Sequence, residues 1–155
     1  MNFINDQELA LRLKDNAVSS KEKYLYFILF IFITTVLSSP IVTTYLYTGN
    51  INKFDYIIDS INIISFIIGS TLCYKTNKSG DDKDFIERMI CISFPVLIKS
   101  IVILLLVSMF YYTTIQIIGW RENIDESAIY DLPPAIFIIL YYYWRLNASM
   151  KIAAN

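Results

Sequence analysis

Histidine is absent from this sequence, and cysteine occurs only at Cys73 and Cys91. These two shortages exclude most zinc, haem, iron–sulfur and cysteine–histidine sites, which depend on several thiolate or imidazole ligands. The chain also lacks a Gly-rich phosphate loop, a Gly-x-Ser-x-Gly elbow, a Cys-x-x-Cys pair and a kinase signature. We therefore expect no cofactor, no metal site, no catalytic residues and no enzymatic activity.

The sequence also lacks an excess of charge of either sign. The formal net charge of the 155 residues is -1, so the chain has no basic surface of the kind that binds nucleic acid. Hydrophobic residues make up 55% of the sequence, and the mean hydropathy is +0.49. Charged residues are confined to short segments between apolar runs, a pattern that predicts an all-α, polytopic membrane protein in contact with lipid.

Four apolar runs are candidates for transmembrane helices, because about 20 apolar residues of helix cross the hydrocarbon core. We place them at about 24–47, 56–74, 96–118 and 132–147. The chain is thus expected to consist of an amphipathic segment at 1–23, a four-helix transmembrane domain at 24–147 and a tail at 148–155.

The first 23 residues carry the signature of a short helix. Asn5 and Glu8 have the spacing of a capping pair, and Leu9 and Leu13 fall on one helical face. We expect this helix to rest on the membrane or on a partner. A second capping box, formed by Ser19 and Glu22, would open the first span.

A charged segment at 79–88 leads directly into an apolar run that reaches Ile118. Asp84 and Glu87 have capping-box spacing, which predicts a helix start there. Pro95 cannot donate a backbone hydrogen bond to Cys91, so we expect a bend at that point. The sequence therefore predicts an amphipathic interfacial helix before the third span.

Lys99 is the only charged residue between Met89 and Ile118. If the span begins near Val96, Lys99 lies close to the surface and its side chain snorkels to the headgroups, the interpretation that we favour. If the span begins at Met89, Lys99 lies near mid-depth and lines a polar path or has a partner. Arg145, beside the aromatic run 141–144, is likewise expected to snorkel.

Asp59 and Asn62 lie one to two turns inside the second span. A carboxylate at that depth is costly unless it reaches water, gains a partner or takes up a proton. Asp59 either reaches interfacial water or forms, with Asn62, a niche for a proton or a cation. Together with Lys99 these residues are our candidate intramembrane polar site, although Lys99 enters from the opposite leaflet.

Small residues recur at spacing of four in the first two spans, as Thr35, Ser39 and Thr43 and as Ser65, Gly69 and Cys73. Such faces allow close helix packing. Because the loop between these spans is short, we expect an antiparallel hairpin in which the two faces meet.

The distribution of lysine and arginine predicts the orientation. Ten of these residues, with Arg145 counted in the C-terminal group, lie in the N-terminal segment, the 75–88 loop and the tail, against two in the other loops. Both termini are thus expected in the cytoplasm, where the two cysteines would be reduced and buried thiols.

Two classes of function fit these features. The first is recognition or regulation of a protein partner through a cytoplasmic surface formed by Asp81, Asp82, Asp84, Glu87 and Arg88. The second is an oligomeric ion or proton conduit, or a transporter subunit, whose path is lined by Asp59, Asn62 and Lys99. Either class implies a protein partner or a homo-oligomer.

In size and layout, though not in a motif, the chain resembles small bacterial inner-membrane proteins. Examples are immunity proteins against pore-forming bacteriocins and the membrane subunits of phage-defence operons. The resemblance implies a multi-pass protein of the bacterial inner membrane that acts in immunity or defence, and we take partner recognition as the first expectation.

Overall fold

The computed structural model describes residues 3–39, 50–120 and 127–155, and 83% of the structure is helical. Five α-helices follow one another along the chain, and no strand occurs in the described ranges. They are α1 (Asp6–Lys14), α2 (Ser20–Leu37), α3 (Lys53–Ser79), α4 (Phe85–Ile118) and α5 (Leu132–Ala154), the last preceded by a 3₁₀ turn at Ile129–Asp131.

Successive long helices run in opposite directions between the two ends of the molecule. At one end, here called the α1 end, α1 packs on α4 and on the last turns of α5, and the start of α2 meets the start of α4. At the other, the Asp131 end, Asn52 at the start of α3 donates to the Ser127 carbonyl over 2.8 Å, and Tyr112 of α4 donates to Asp131 over 2.6 Å. The first and last helices therefore meet at one end of the bundle.

Two of the helices, α3 and α4, are long and apolar enough to cross a membrane. The 34 residues of α4 extend about 51 Å, well beyond a hydrocarbon core of about 30 Å. The described part of α2 has 18 residues and carries three charged ones in its first turn, while α5 is interrupted by Arg145. The described residues thus contain two candidate spans, and the four that the sequence predicts are not all recovered.

The core lies at the α1 end. Its fully buried side chains come from all five helices, but not from the halves of α3 and α4 near the Asp131 end. They include Leu9, Tyr26, Cys73, Ile92, Leu146 and Met150. Cys73 and Cys91 are both buried and unbonded, as expected for structural thiols. Because α1 supplies Leu9, Ala10 and Leu13 to this core, it is an integral part of the fold.

The predicted interfacial helix before the third span is not a separate element among the described residues. Helix α4 runs from Phe85 to Ile118 as one element with Pro95 inside it, and residues 91–96 are buried. Phe94 lies between the rings of Phe3 and Tyr26, with centroid distances of 6.0 and 5.9 Å. The N-terminal segment and α2 cover the part of α4 that the sequence pattern places at the membrane surface.

The predicted pairing of the small-residue faces of the first and second spans is wrong. Helix α3 packs on α5, and Gly69 lies against the ring of Tyr143 so closely that a Cβ atom would overlap it. Helix α2 packs on α4 instead. Thr43 lies outside the described residues, as does the end of the expected first span. Because Gly69 leaves space for the Tyr143 ring, this face of α3 packs on α5.

Two of the three predicted helix caps are confirmed. Asn5 accepts a hydrogen bond from the Glu8 amide over 3.2 Å, and Ser19 accepts one from the Glu22 amide over 3.3 Å. Asp84 precedes α4 but has φ 46° and ψ 35°, and its side chain makes no capping hydrogen bond. The predicted helix start is therefore confirmed, but the side-chain cap is not.

Candidate functional site

A carboxylate enclosed by three donors lies at the centre of the α1 end. The side chain of Asp6 is 0% exposed, and its Oδ1 atom accepts hydrogen bonds from Lys99 and, over 3.2 Å, from Arg145. Its Oδ2 atom accepts from Ser149 and lies 2.8 Å from Arg145 Nε in an ion-pair contact. One acidic side chain from α1 thus joins α4 to α5.

The position of Asp6 follows from the local sequence. Leu9, Ala10 and Leu13 lie three, four and seven residues further along α1, so they share a helical face with Asp6 and carry it into the interior. As the first residue of the helix, Asp6 also lies at the positive end of the helix dipole. The same apolar stripe that buries α1 therefore buries its first carboxylate.

The ionisation of Asp6 reflects two opposing effects. Burial acts to raise its pKa, but the hydrogen bonds from Lys99, Ser149 and Arg145 together outweigh burial and hold the pKa below the ordinary value. Asp6 is therefore a carboxylate at neutral pH. With its oxygens occupied by these donors, the group is suited to holding α1 in place rather than to accepting a proton from a substrate.

The structure corrects both expectations for Lys99 and Arg145. Their side chains are 24% and 19% exposed, and both turn inward to Asp6 instead of snorkelling to headgroups. Lys99 has a partner, as the alternative interpretation required, but that partner belongs to α1 and the site is at one end of the molecule. Two cations around one carboxylate leave this site with an excess of positive charge.

A second ion pair fixes the turn between α3 and α4. Arg88 is buried and donates to both carboxylate oxygens of Asp81, over 2.6 Å in one case, and to Asn77 over 3.0 Å. Asn77 in turn donates to the Lys83 carbonyl over 3.1 Å. The guanidinium of Arg88 lowers the pKa of Asp81 to about 2. The turn is thus held by charged groups that the sequence assigns to a partner surface.

Two further ion pairs attach α2 to its neighbours. Arg12 of α1 donates to both oxygens of Glu22, over 2.8 and 2.7 Å, and Lys23 pairs with Glu87 at the start of α4. Glu87 stays 53% exposed in this contact. Ion pairs therefore connect α1 to α2, and α2 to α4, around the Asp6 site.

Of the five residues predicted to form a partner surface, only some face outward. Asp82 and Asp84 are exposed and both have left-handed backbone angles, with φ of 54° and 46°. Glu87 is exposed but paired, whereas Arg88 is buried and Asp81 is bonded to it. The prediction places all five together at one turn, and the structure divides them into an internal clamp and an exposed acidic rim.

The three residues of the predicted intramembrane polar site do not come together. Asp59 and Asn62 are exposed on α3, while Lys99 is held by Asp6 of α1. Asn62 lines an apolar crevice to which Lys99 does not contribute. Within the described part of the chain, no group of three acidic or thiol side chains is placed to hold a metal ion.

Sequence reasoning missed Asp6, Ser149 and Asn77. A signal existed for Asp6, because it lies on the same face as Leu9 and Leu13 and is the one charged residue there. Its partners carry no such signal, since they lie 93 to 143 residues away. The arrangement joins α1, α4 and α5 through charged and hydroxyl side chains.

Comparison of the chain with protein-family models, with characterised proteins and with solved structures gives no match.

Proposed function

We propose that this chain is a small multi-pass protein of the bacterial inner membrane that acts by recognising a protein partner at its α1 end. The observation that carries the proposal is the burial of Asp6 among Lys99, Arg145 and Ser149. A helix that only rested on the membrane would not need such a site. The site holds α1 in one orientation, as a surface that recognises a partner requires.

The proposed orientation has both termini in the cytoplasm. It is supported by the excess of lysine and arginine in the segments that meet at the α1 end. The two long apolar helices support membrane residence. On this placement, the α1 end faces the cytoplasm and the Asp131 end faces outward.

The contact surface proposed for the partner is the acidic rim formed by Asp82 and Asp84, at the turn between α3 and α4. Both side chains are exposed, and Arg88 and Asn77 hold the turn that carries them. A fixed pair of carboxylates recognises a basic surface through complementary potentials, which affect specificity and association rate more than affinity. The expected partner is therefore a protein with a basic patch.

The test is photo-crosslinking in the native host, with a photoreactive residue introduced at Lys83 and, as a matched control, at Ile117 near the other end. We expect one discrete protein adduct from position 83 and none from position 117. Charge reversal by Asp82→Lys and Asp84→Lys should remove the adduct while the chain stays in the membrane. An adduct that survives both reversals would contradict recognition by the acidic rim.

Immunity and defence remain the two settings proposed for this recognition, on the basis of the layout alone. Genetic context distinguishes them: a toxin gene beside this one favours immunity, and a gene for a cytosolic effector favours a defence complex. Identification of the crosslinked protein by mass spectrometry would then test that assignment directly.

The alternative, an oligomeric conduit, has one observation in its favour. Asn62 lies where two crevices meet, one of them reaching Asp131 and the other reaching Met89. Against it, Lys99 is tied to Asp6 and Asp59 lies outside both crevices. A path through these three residues would have to form between copies of the chain.

A further inference from the structure

A long crevice separates α2 from α3. Helix α2 packs on α4 and α3 packs on α5, so α4 and α5 form its floor while α2 and α3 form its walls. The crevice has a volume of about 510 Å³. Its lining draws on all four long helices and includes Phe30, Leu37, Phe66, Met89, Leu97 and Ile139.

The interior of this crevice is apolar. The hydroxyl of Thr34 donates to the Phe30 carbonyl over 2.9 Å, and that of Ser100 donates to the Val96 carbonyl over 2.8 Å. These hydroxyls are thus turned to their own helices. A ligand there would be bound by its hydrocarbon, since apolar contact is what the walls offer.

The dimensions are compatible with a single hydrocarbon chain. The lining residues of α4 extend from Ile86 to Leu104, about 27 Å at the rise of an α-helix. Spread over that length, the volume gives a mean cross-section of roughly 19 Å². A single polymethylene chain, about 4–5 Å wide from carbon contact distances, fits.

The end of the crevice near α1 carries two opposite charges. A smaller cavity of about 310 Å³ shares Ile86 and Ile90 with the crevice and is lined by Lys23 and Glu87. These two side chains form an ion pair, 27% and 53% exposed respectively. A zwitterionic headgroup matches such a pair, with its phosphate on the ammonium group and its amine on the carboxylate.

We propose that the crevice between α2 and α3 binds one acyl chain of a membrane phospholipid, and that Lys23 and Glu87 bind the phosphate and amine of its ethanolamine headgroup. The inference rests on the membrane placement proposed above, with this end of the crevice at the cytoplasmic leaflet. It is independent of whether a protein partner binds the acidic rim.

The experiment is native mass spectrometry of the full chain, purified from membranes in detergent and titrated with dioleoyl phosphatidylethanolamine or dioleoyl phosphatidylglycerol. We expect one bound lipid, with phosphatidylethanolamine favoured about two- to fivefold, the range for one exposed ion pair. Glu87→Gln should remove that preference, whereas Lys23→Met should weaken both lipids. Lys21→Met, which changes an exposed lysine outside both cavities, is the matched control.

A second pair of variants tests the acyl chain. Leu97→Trp should fill the crevice and abolish the one-lipid complex, whereas Leu105→Trp, on a lipid-facing position of the same helix, should leave it unchanged. If Leu97→Trp does not fold, the headgroup variants still decide, because Lys23 and Glu87 are partly exposed.

Three results would overturn the inference: equal binding of both lipids by the wild type, a one-lipid complex that survives Leu97→Trp, or a lipid-free dimer that places a second copy in the crevice. Each of these, obtained with protein recovered from the membrane fraction, leaves partner recognition standing. A chain absent from the membrane fraction would overturn both proposals.

Discussion

At the scale of single residues, Asp6 determines where the first helix lies. Its carboxylate accepts from Lys99, Arg145 and Ser149, and α1 has no comparable polar contact with α4 or α5 among the described residues. Removal of one partner from a buried ion pair is costly mainly because the other charges are left unpaired. Asp6 is therefore the residue whose loss should release α1.

We predict that Asp6→Asn destabilises the docking of α1 by about 2–3 kcal/mol, less than the about 3–5 kcal/mol of a fully enclosed pair, because Lys99 and Arg145 keep some exposure. Hydrogen exchange should rise throughout 6–14. Asp15→Asn, an exposed change at the end of the same helix, is the control. Unchanged protection in Asp6→Asn would show that the apolar stripe alone holds α1.

The Arg88–Asp81 pair predicts how stability depends on pH. The pKa of Asp81 is lowered from 3.8 to about 2 in the folded chain, so its contribution is complete above 3.8 and is lost as the pH falls to about 2. We expect Asp81→Asn to lower the free energy of unfolding by about 1 kcal/mol at neutral pH, a value reduced for partial solvent screening.

Thermal unfolding measured between pH 7 and pH 2 tests this dependence. The difference between wild type and Asp81→Asn should be constant down to about pH 4 and should shrink below it. Asp82→Asn, one residue away and exposed, provides the control. A difference that grew on acidification would contradict the assignment.

At the scale of elements, the contact between α3 and α5 depends on one glycine. Gly69 lets the Tyr143 ring approach the backbone of α3. Seven residues further along the same helix, Thr76 donates to Asn147 over 2.6 Å. Close approach of two helices through a small residue is a general feature of membrane-helix packing. The close approach of α3 and α5 at this point therefore depends on the absence of a side chain at Gly69.

We predict that Gly69→Ala destabilises the folded chain by about 1–3 kcal/mol, the usual cost of overpacking, because the added methyl group overlaps Tyr143. Thermal unfolding in detergent measures the effect. Tyr143→Ala in the same background should recover part of the loss, whereas Ser60→Ala, exposed on α3, should change little. Additive effects of the two changes would contradict direct contact.

How far the elements could be predicted differs along the chain. The caps at Asn5 and Ser19 and the helical character of every segment follow from local sequence, since spacing and side-chain type are sufficient for them. The amphipathic pattern before Pro95 was misleading, because α1 and α2 cover it. An apolar face is visible in a sequence, but its occupant is not.

At the scale of the whole molecule, the polar contacts between helices are grouped toward the two ends, and the helix surfaces between them are apolar. The α1 end is held by ion pairs from four helices, whereas the Asp131 end is held by hydrogen bonds around Asn52, Asp55 and Ser127. Such an arrangement suits a protein that presents a fixed surface. It gives no continuous polar path within one copy of the chain among the described residues.

We therefore predict that purified protein in liposomes conducts neither ions nor protons above the background of empty vesicles. Asp59→Asn and Lys99→Met should leave the flux unchanged, because Lys99 is bonded to Asp6 and Asp59 lies outside the cavities that Asn62 lines. Circular dichroism of the reconstituted samples controls for folding. Flux that disappeared in either variant would favour the conduit over recognition.

The sequence by itself determined the helical character of this protein and its apolar runs, two of which form helices long enough to cross a membrane, through apolar content and the clustering of charge in short segments. These properties are local or cumulative, so composition and periodicity report them. Only the tertiary structure decided which charges meet: Asp6 and Arg145 are 139 residues apart, and Gly69 faces Tyr143 rather than the first span. Contacts at such separations depend on how the helices pack, and the spacing of residues along one chain does not encode that.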